Sequence, residues 1–178
     1  MDVGRPVATI GRRAGLGGAL AGLLVAPVAA QTVRVDRAEL IESGQFRATK
    51  TGQGVAPNSP TGRNIRVADV EFFDPAPRVP ARLGVNFGIR FRLVGEPAGA
   101  TVTLTETWRL PPPGLRDPAR DNQHFTESTY DFTARIGEAR FRGYGFDSLW
   151  EVLPGEWTIE IRHAGALLLS HSFTLFRP

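Results

Sequence analysis

Residues Trp150 to Phe176 read WEVLPGEWTIEIRHAGALLLSHSFTLF. Two runs in this stretch alternate, Trp157 to Arg162 and Leu167 to Leu175, on either side of Ala164-Gly165. A period of two gives each run one apolar face, the pattern of a β-hairpin. Pro154 presets φ and Gly155 accepts a positive φ, so Leu153-Pro154-Gly155-Glu156 fits a type II turn before the first strand. Burial selects the register, because a one-residue slip turns every side chain over. A two-residue loop at Ala164-Gly165 pairs His163 with Ala166 and turns Leu167 and Leu169 to water. A three-residue loop, His163-Ala164-Gly165, pairs Arg162 with Ala166 and puts Gly165 at the left-handed position of such loops. It sets Ile161 against Leu167, Ile159 against Leu169 and Trp157 against His171. This register predicts His171 as a packed, hydrogen-bonded core histidine that shares no metal with His163. The apolar face of the hairpin needs a second sheet to cover it.

Upstream runs supply that cover. Gly84 to Gly95 alternates without a fault: Val85, Phe87, Ile89, Phe91 and Leu93 fall on one face, Asn86, Gly88, Arg90 and Arg92 on the other. Burying each of the five contributes about 1.5–3 kcal/mol before ordering entropy is subtracted. Ala100 to Leu110 repeats the pattern, with Val102, Leu104, Trp108 and Leu110 opposite a threonine-rich face that carries Arg109. Weaker strands are expected at Ala38 to Thr49, with a bulge at Gly44, at Ile65 to Phe73, at His124 to Ala134, and at Ala139 to Phe146. In the last of these, Gly143 and Gly145 shift the phase between Phe141 and the Tyr144/Phe146 pair, which predicts another bulge. Lys50 to Arg63, rich in Gly, Pro, Asn and Ser, reads as a long loop. Pro111-Pro112-Pro113-Gly114 opens a polar loop through Asn122. Short strands separated by Gly/Pro turns, with no convincing helix, indicate an antiparallel β-sandwich of about seven to eight strands.

The first thirty residues stand apart. Arg5, Arg12 and Arg13 lead an apolar run, Ala14 to Ala26, that is too short and too broken by Gly and Pro to span a bilayer. Val28-Ala29-Ala30 offers small residues at a cut between Ala30 and Gln31, so residues 1–30 read as a secretory signal peptide and 31–178 as one domain. The residues after Arg12-Arg13 match a twin-arginine export signal poorly; no Cys follows the apolar run to carry a lipoprotein anchor, and no other anchoring signal appears. The protein is therefore expected in the periplasm or secreted, without a stable membrane anchor. The leader takes three of the 21 basic residues and one of the 18 acidic ones, so the net charge of +3 falls to about +1. No basic cluster interleaves with exposed aromatics, and nucleic acid is not implied. The chain has no cysteine, which removes disulfides and thiolate metal sites. Stability must come from packing.

One residue breaks the core pattern. Glu106 falls on the apolar face of its strand, where desolvation would raise a carboxyl pKa and prepare an acid or base. A bulge that turns it outward, or an edge position open to water, explains it without chemistry and is the reading preferred. No second titratable partner is nominated by the sequence. Arg90 and Arg92 form either a carboxylate clamp or a solvated pair. There is no nucleophile elbow, and His124, His163 and His171 have no metal-ligand spacing. Asp147, Glu151 and Glu156 lie close together but lack the alternation of a calcium loop. No cofactor or metal is expected, and no catalytic residue is assigned.

Three segments together carry a resemblance: Phe87-Gly88-Ile89-Arg90, Gly143-Tyr144-Gly145-Phe146-Asp147 and Trp150 to Trp157. Over roughly Arg34 to Phe176 the chain resembles the DUF3859 family, a domain of unknown function in exported bacterial proteins. The resemblance implies an immunoglobulin-like topology and carries over no activity. Two functional readings follow. One is an exported, non-catalytic binding or accessory module whose partner is a protein or a cell-envelope component. The other is a periplasmic hydrolase built on a buried carboxylate such as Glu106.

Overall fold

The structure, a computed structural model, describes residues 32–178. The leader and the Ala30/Gln31 cut lie outside the described residues. Eleven strands follow in order: β1 (Arg34–Val55), β2 (Arg63–Asp74), β3 (Arg78–Pro80), β4 (Asn86–Glu96), β5 (Thr101–Arg109), β6 (Leu115–Asp117), β7 (Gln123–Phe125), β8 (Glu127–Arg135), β9 (Ala139–Gly145), β10 (Gly155–His163) and β11 (Ala166–Phe176). One sheet has the order β2-β1-β4-β9, the other β3-β11-β10-β5-β8, and β6-β7 form a small ribbon. The expected sandwich is present. Every pairing is antiparallel except β3 with β11, which is parallel. The three-residue strands β3, β6 and β7 are too short to show periodicity: β6 lies in the expected polar loop, and the strand expected from His124 to Ala134 is divided between β7 and β8.

The core sits between the sheets where alternation places it. Val85, Phe87, Ile89, Phe91 and Leu93 from one sheet pack with Leu104, Trp108, Trp157, Ile159, Ile161, Phe173 and Leu175 of the other. Phe87 is its centre. Its ring meets Trp108, Trp157 and Phe173 edge-to-face at centroid distances of 5.5, 5.7 and 5.2 Å. Such offset and T-shaped pairs are favoured by the ring quadrupole and add to the area buried.

The final hairpin corrects the expected register. The loop is the two-residue Ala164-Gly165, with both residues at positive φ, and His163 pairs with Ala166. A bulge at Leu168 follows: Arg162 pairs with Leu167 and Ile161 with Leu169. The bulge restores by one inserted residue what the tight loop would have turned outward, so Leu169, His171, Phe173 and Leu175 all face the core side. Only Leu167 is left exposed. His171 therefore stands opposite Ile159, and Phe173, not His171, stands opposite Trp157. The histidine is half-buried, lies edge-to-face on Phe173 at 4.8 Å, and its Nε2 is buried with no hydrogen-bond partner. The expected hydrogen-bonded histidine is thus packed but unsatisfied.

The long loop is also corrected. Lys50 to Val55 continues β1, a strand of 22 residues, and pairs with Arg63 to Val67 of β2, leaving only Ala56 to Gly62 as a turn. β1 changes partner along its length. Arg34 to Gln45 pairs with β4, Gln45 pairs with β2 as well, and from Phe46 onward the strand pairs only with β2. At the changeover sits Gly44, with φ +131°, where a Cβ would lie 2.0 Å from the Asp74 carbonyl oxygen. Beyond it the β1-β2 pair forms an arm laid over the outer side of β9, where Phe46 packs edge-to-face on Phe141 at 4.7 Å. Gly143 leaves the room for that ring. The tip reaches β8: the Asn58 carbonyl accepts from the Thr129 N–H, and the Arg120 guanidinium donates to the carbonyls of Pro57, Ser59 and Pro60. The arm straps the side of the sandwich on which β8 and β9 are the edge strands.

Candidate functional site

Glu106 lies under that strap. Its strand runs regularly between β10 and β8, with Glu106 opposite Ile161 on one side and Tyr130 on the other. Neither a bulge nor an edge position relieves it, and the residue is 5% exposed. A carboxylate in an apolar wall is costly unless paired and hydrogen-bonded, and the second sheet supplies the pair. The Arg142 Nε–H donates to Glu106 Oε2, and the Trp108 indole N–H donates to Oε1 at 2.9 Å. Arg142 gets there because β9 pairs with β4 without a bulge, which corrects the expected phase shift: Tyr144 opposes Phe87, Arg142 opposes Ile89 and Arg140 opposes Phe91. Cross-strand partners share a face, so these three point between the sheets, while Phe141, Gly143 and Gly145 point out. The Arg142 guanidinium also stacks over Phe132 and Tyr130, at 4.5 and 5.2 Å from the ring centroids.

A second polar pair stands next to the first. The Tyr144 hydroxyl donates to Glu151 Oε1 at 3.1 Å, and the backbone N–H groups of Asp147 and Ser148 donate to Oε2 at 3.1 and 2.7 Å. Glu151 ends the 3₁₀ turn Leu149–Glu151 and reaches back to the residues before it, the reciprocal half of a capping box. Burial pushes the Glu151 carboxyl pKa up, and the donated bonds from Tyr144 and Ser148 offset part of that. Burial, with the neighbouring Glu151 charge, holds the Tyr144 phenol well above its ordinary value. Both pairs line a cleft of about 100 Å³ that the arm closes with Ser59, Thr61 and Asn64.

The chemistry of the cleft follows from its hydrogen bonds. Each of the four carboxylate oxygens already accepts from at least one protein donor, and Glu151 Oε2 from two, so both carboxylates are held by the protein's own groups. The remaining residues singled out in the sequence stay apart. Arg90 is tied to Glu42 and to the Val70 carbonyl on the outer sheet face, and forms no clamp with exposed Arg92. Arg109 makes a two-pronged contact with Glu160 across the outer face of the other sheet, which holds the Glu160 carboxyl below its usual range. Asp147 pairs with Lys50 at 2.6 Å, and its negative charge adds to the rise of the neighbouring Glu151 carboxyl pKa. His163 bonds the Thr103 carbonyl and His124 the Pro113 carbonyl. Among the described residues no three His, Asp or Glu side chains gather around a point an ion could occupy. Arg142, Tyr144 and Glu151 were not paired with Glu106 by any sequence pattern. The one available signal was an arginine at an inward phase between Phe141 and Tyr144.

No protein-family model matches the sequence, and no curated protein is significantly similar to it. Among solved structures, an immunoglobulin-like protein of Pseudomonas aeruginosa is 26% identical, with a TM-score of 0.50 over 82% of this chain and 98% of that one. The alkylpurine DNA glycosylase AlkC of Pseudomonas fluorescens, bound to DNA with an abasic-site analogue, is 16% identical over 57% of this chain and 28% of that one. Its TM-score of 0.37 is too low to bear on this chain. The first likeness extends over nearly the whole of its counterpart and fits the two packed sheets described above: the chain is an immunoglobulin-like sandwich.

Proposed function

We propose that this protein is an exported, non-catalytic binding or accessory module of the DUF3859 type, acting in the periplasm or outside the cell on a protein or envelope component. The observation that carries the reading is the occupancy of the buried carboxylates. A hydrolase built on Glu106 needs an oxygen free to take or give a proton to a reacting group, whereas here one oxygen faces a guanidinium and the other an indole N–H. The likeness to an immunoglobulin-like protein supports a scaffold that presents surfaces, although fold alone assigns no activity. Export rests on the leader and the small residues before Gln31.

The test has two arms. The full chain, expressed in a Gram-negative host and fractionated, should yield a protein whose N-terminal residue is Gln31, and affinity capture from periplasmic extract should retain a defined partner. In parallel, a panel of ester, peptide and glycoside substrates should show no turnover. Turnover abolished by Glu106→Gln at unchanged stability would replace this reading with the hydrolase.

A further inference from the structure

Beside the cleft, the strap leaves a larger slot of about 570 Å³, within the range of small-molecule sites. Its roof is the arm, with Thr51 from β1 and Ile65, Arg66, Val67 and Val70 from β2. Its floor is the open side of the sandwich, with Tyr130 and Phe132 from β8 and Arg140, Phe141 and Arg142 from β9. Two features set this slot apart. Tyr130, Phe141, Ile65, Val67 and Val70 line it half-buried, with Phe132 buried behind the Arg142 guanidinium, and the half-buried side chains would cover the body of an apolar molecule. Its charges are all of one sign. Arg142 is neutralised by Glu106, but Arg66 and Arg140 form no ion pair among the described residues, and no Asp or Glu lines the slot. The nearest acid in sequence to Arg140, Glu138, is turned to Arg135. Both arginines are exposed lining residues, and the Arg66 guanidinium lies across Gly52 of β1. A guanidinium presents a planar fork of donors that matches a carboxylate or phosphate.

We infer that the slot between the β1-β2 arm and the β8/β9 side of the sandwich binds a small amphipathic anion, its apolar body against Tyr130, Phe141 and Val67 and its charged head on Arg66 and Arg140. The inference rests on reading the chain as a binding module and names the ligand class for it.

The probe is 8-anilinonaphthalene-1-sulfonate, a fluorescent aromatic anion, with N-phenyl-1-naphthylamine as its uncharged counterpart. The folded protein should bind the sulfonate at one saturable site. Arg66→Ala/Arg140→Ala should weaken it by about tenfold or more, the loss expected for two charge-assisted contacts, while the uncharged probe is retained. Thr51→Trp, at an exposed position on the roof, should exclude both probes by filling the slot. Decanoate and decyl phosphate should displace the sulfonate, and the stronger of the two identifies the head group. Equal sulfonate binding by all three proteins, at matched denaturant midpoints, would overturn the inference, as would displacement by neither competitor. Partner capture that survives in Thr51→Trp would leave the module reading intact while this one fails, so the two are separable.

Discussion

Arg142 is the ion-pair partner of a buried carboxylate whose other side-chain donor is the Trp108 indole N–H. Removing one partner of a buried ion pair costs about 3–5 kcal/mol because the other stays buried alone, whereas an uncharged pair of similar shape is tolerated. Arg142→Ala should therefore lower the urea midpoint far more than Glu106→Gln/Arg142→Met does, and a double-mutant cycle measures the difference. His171 gives a contrasting case. Burial holds its imidazole pKa below the ordinary 6.5, so the unfolded chain binds the proton more readily than the folded one. Stability is complete above that value and is lost as pH falls through it towards the lower folded pKa. His171→Phe removes both this loss and the unpartnered Nε2, and should stabilise by on the order of 1 kcal/mol. The gap between variant and parent should be wider at pH 5.5 than at pH 7.5 in matched urea titrations.

Among the elements, the arm shows most plainly what a sequence does and does not carry. Over Lys50 to Val55 the half-buried positions are Gly52 and Gly54 while Thr51, Gln53 and Val55 are exposed, so the stretch has no apolar alternation to display, and its strand character comes from pairing with β2 alone. The hairpin β10-β11 was legible as strands, yet the Leu168 bulge that rescues its apolar face was not, because bulge and loop length compensate each other. Arg142 was illegible for a third reason. Its partner is 36 residues away on another sheet, and nothing local distinguishes an inward arginine from a phase shift at glycine. The core strands β4 and β5, by contrast, repeat one face for five and four positions. At this scale the arm should depend on Arg120, whose donors hold three carbonyls of the tip. Hydrogen bonds from a charged donor contribute about 1.5–3 kcal/mol. Arg120→Ala should speed amide hydrogen exchange across Ala56 to Gly62 by about tenfold or more, with little change at β4.

For the whole molecule, two sheets closed over one aromatic core put most of the stability into few side chains. Phe91 is fully buried and Arg92, its neighbour, is exposed. Phe91→Ala should cost about 3–5 kcal/mol, a large part of the 5–15 kcal/mol typical of domains, while Arg92→Ala stays within about 0.5 kcal/mol. Equal denaturant midpoints for the two would contradict the assignment of faces. The Glu106–Arg142 contact acts at this scale as well. The strand β9 carries rings on both sides, Phe141 outward and Tyr144 inward, so hydrophobicity alone discriminates poorly between its correct alignment on β4 and one displaced by a single residue. The displaced alignment would bury Phe141, send Arg142 outside and strand the Glu106 carboxylate in an apolar wall. The ion pair thus proofreads the assembly of the two sheets, adding little to the strength of the correct arrangement and a heavy penalty to its nearest competitor.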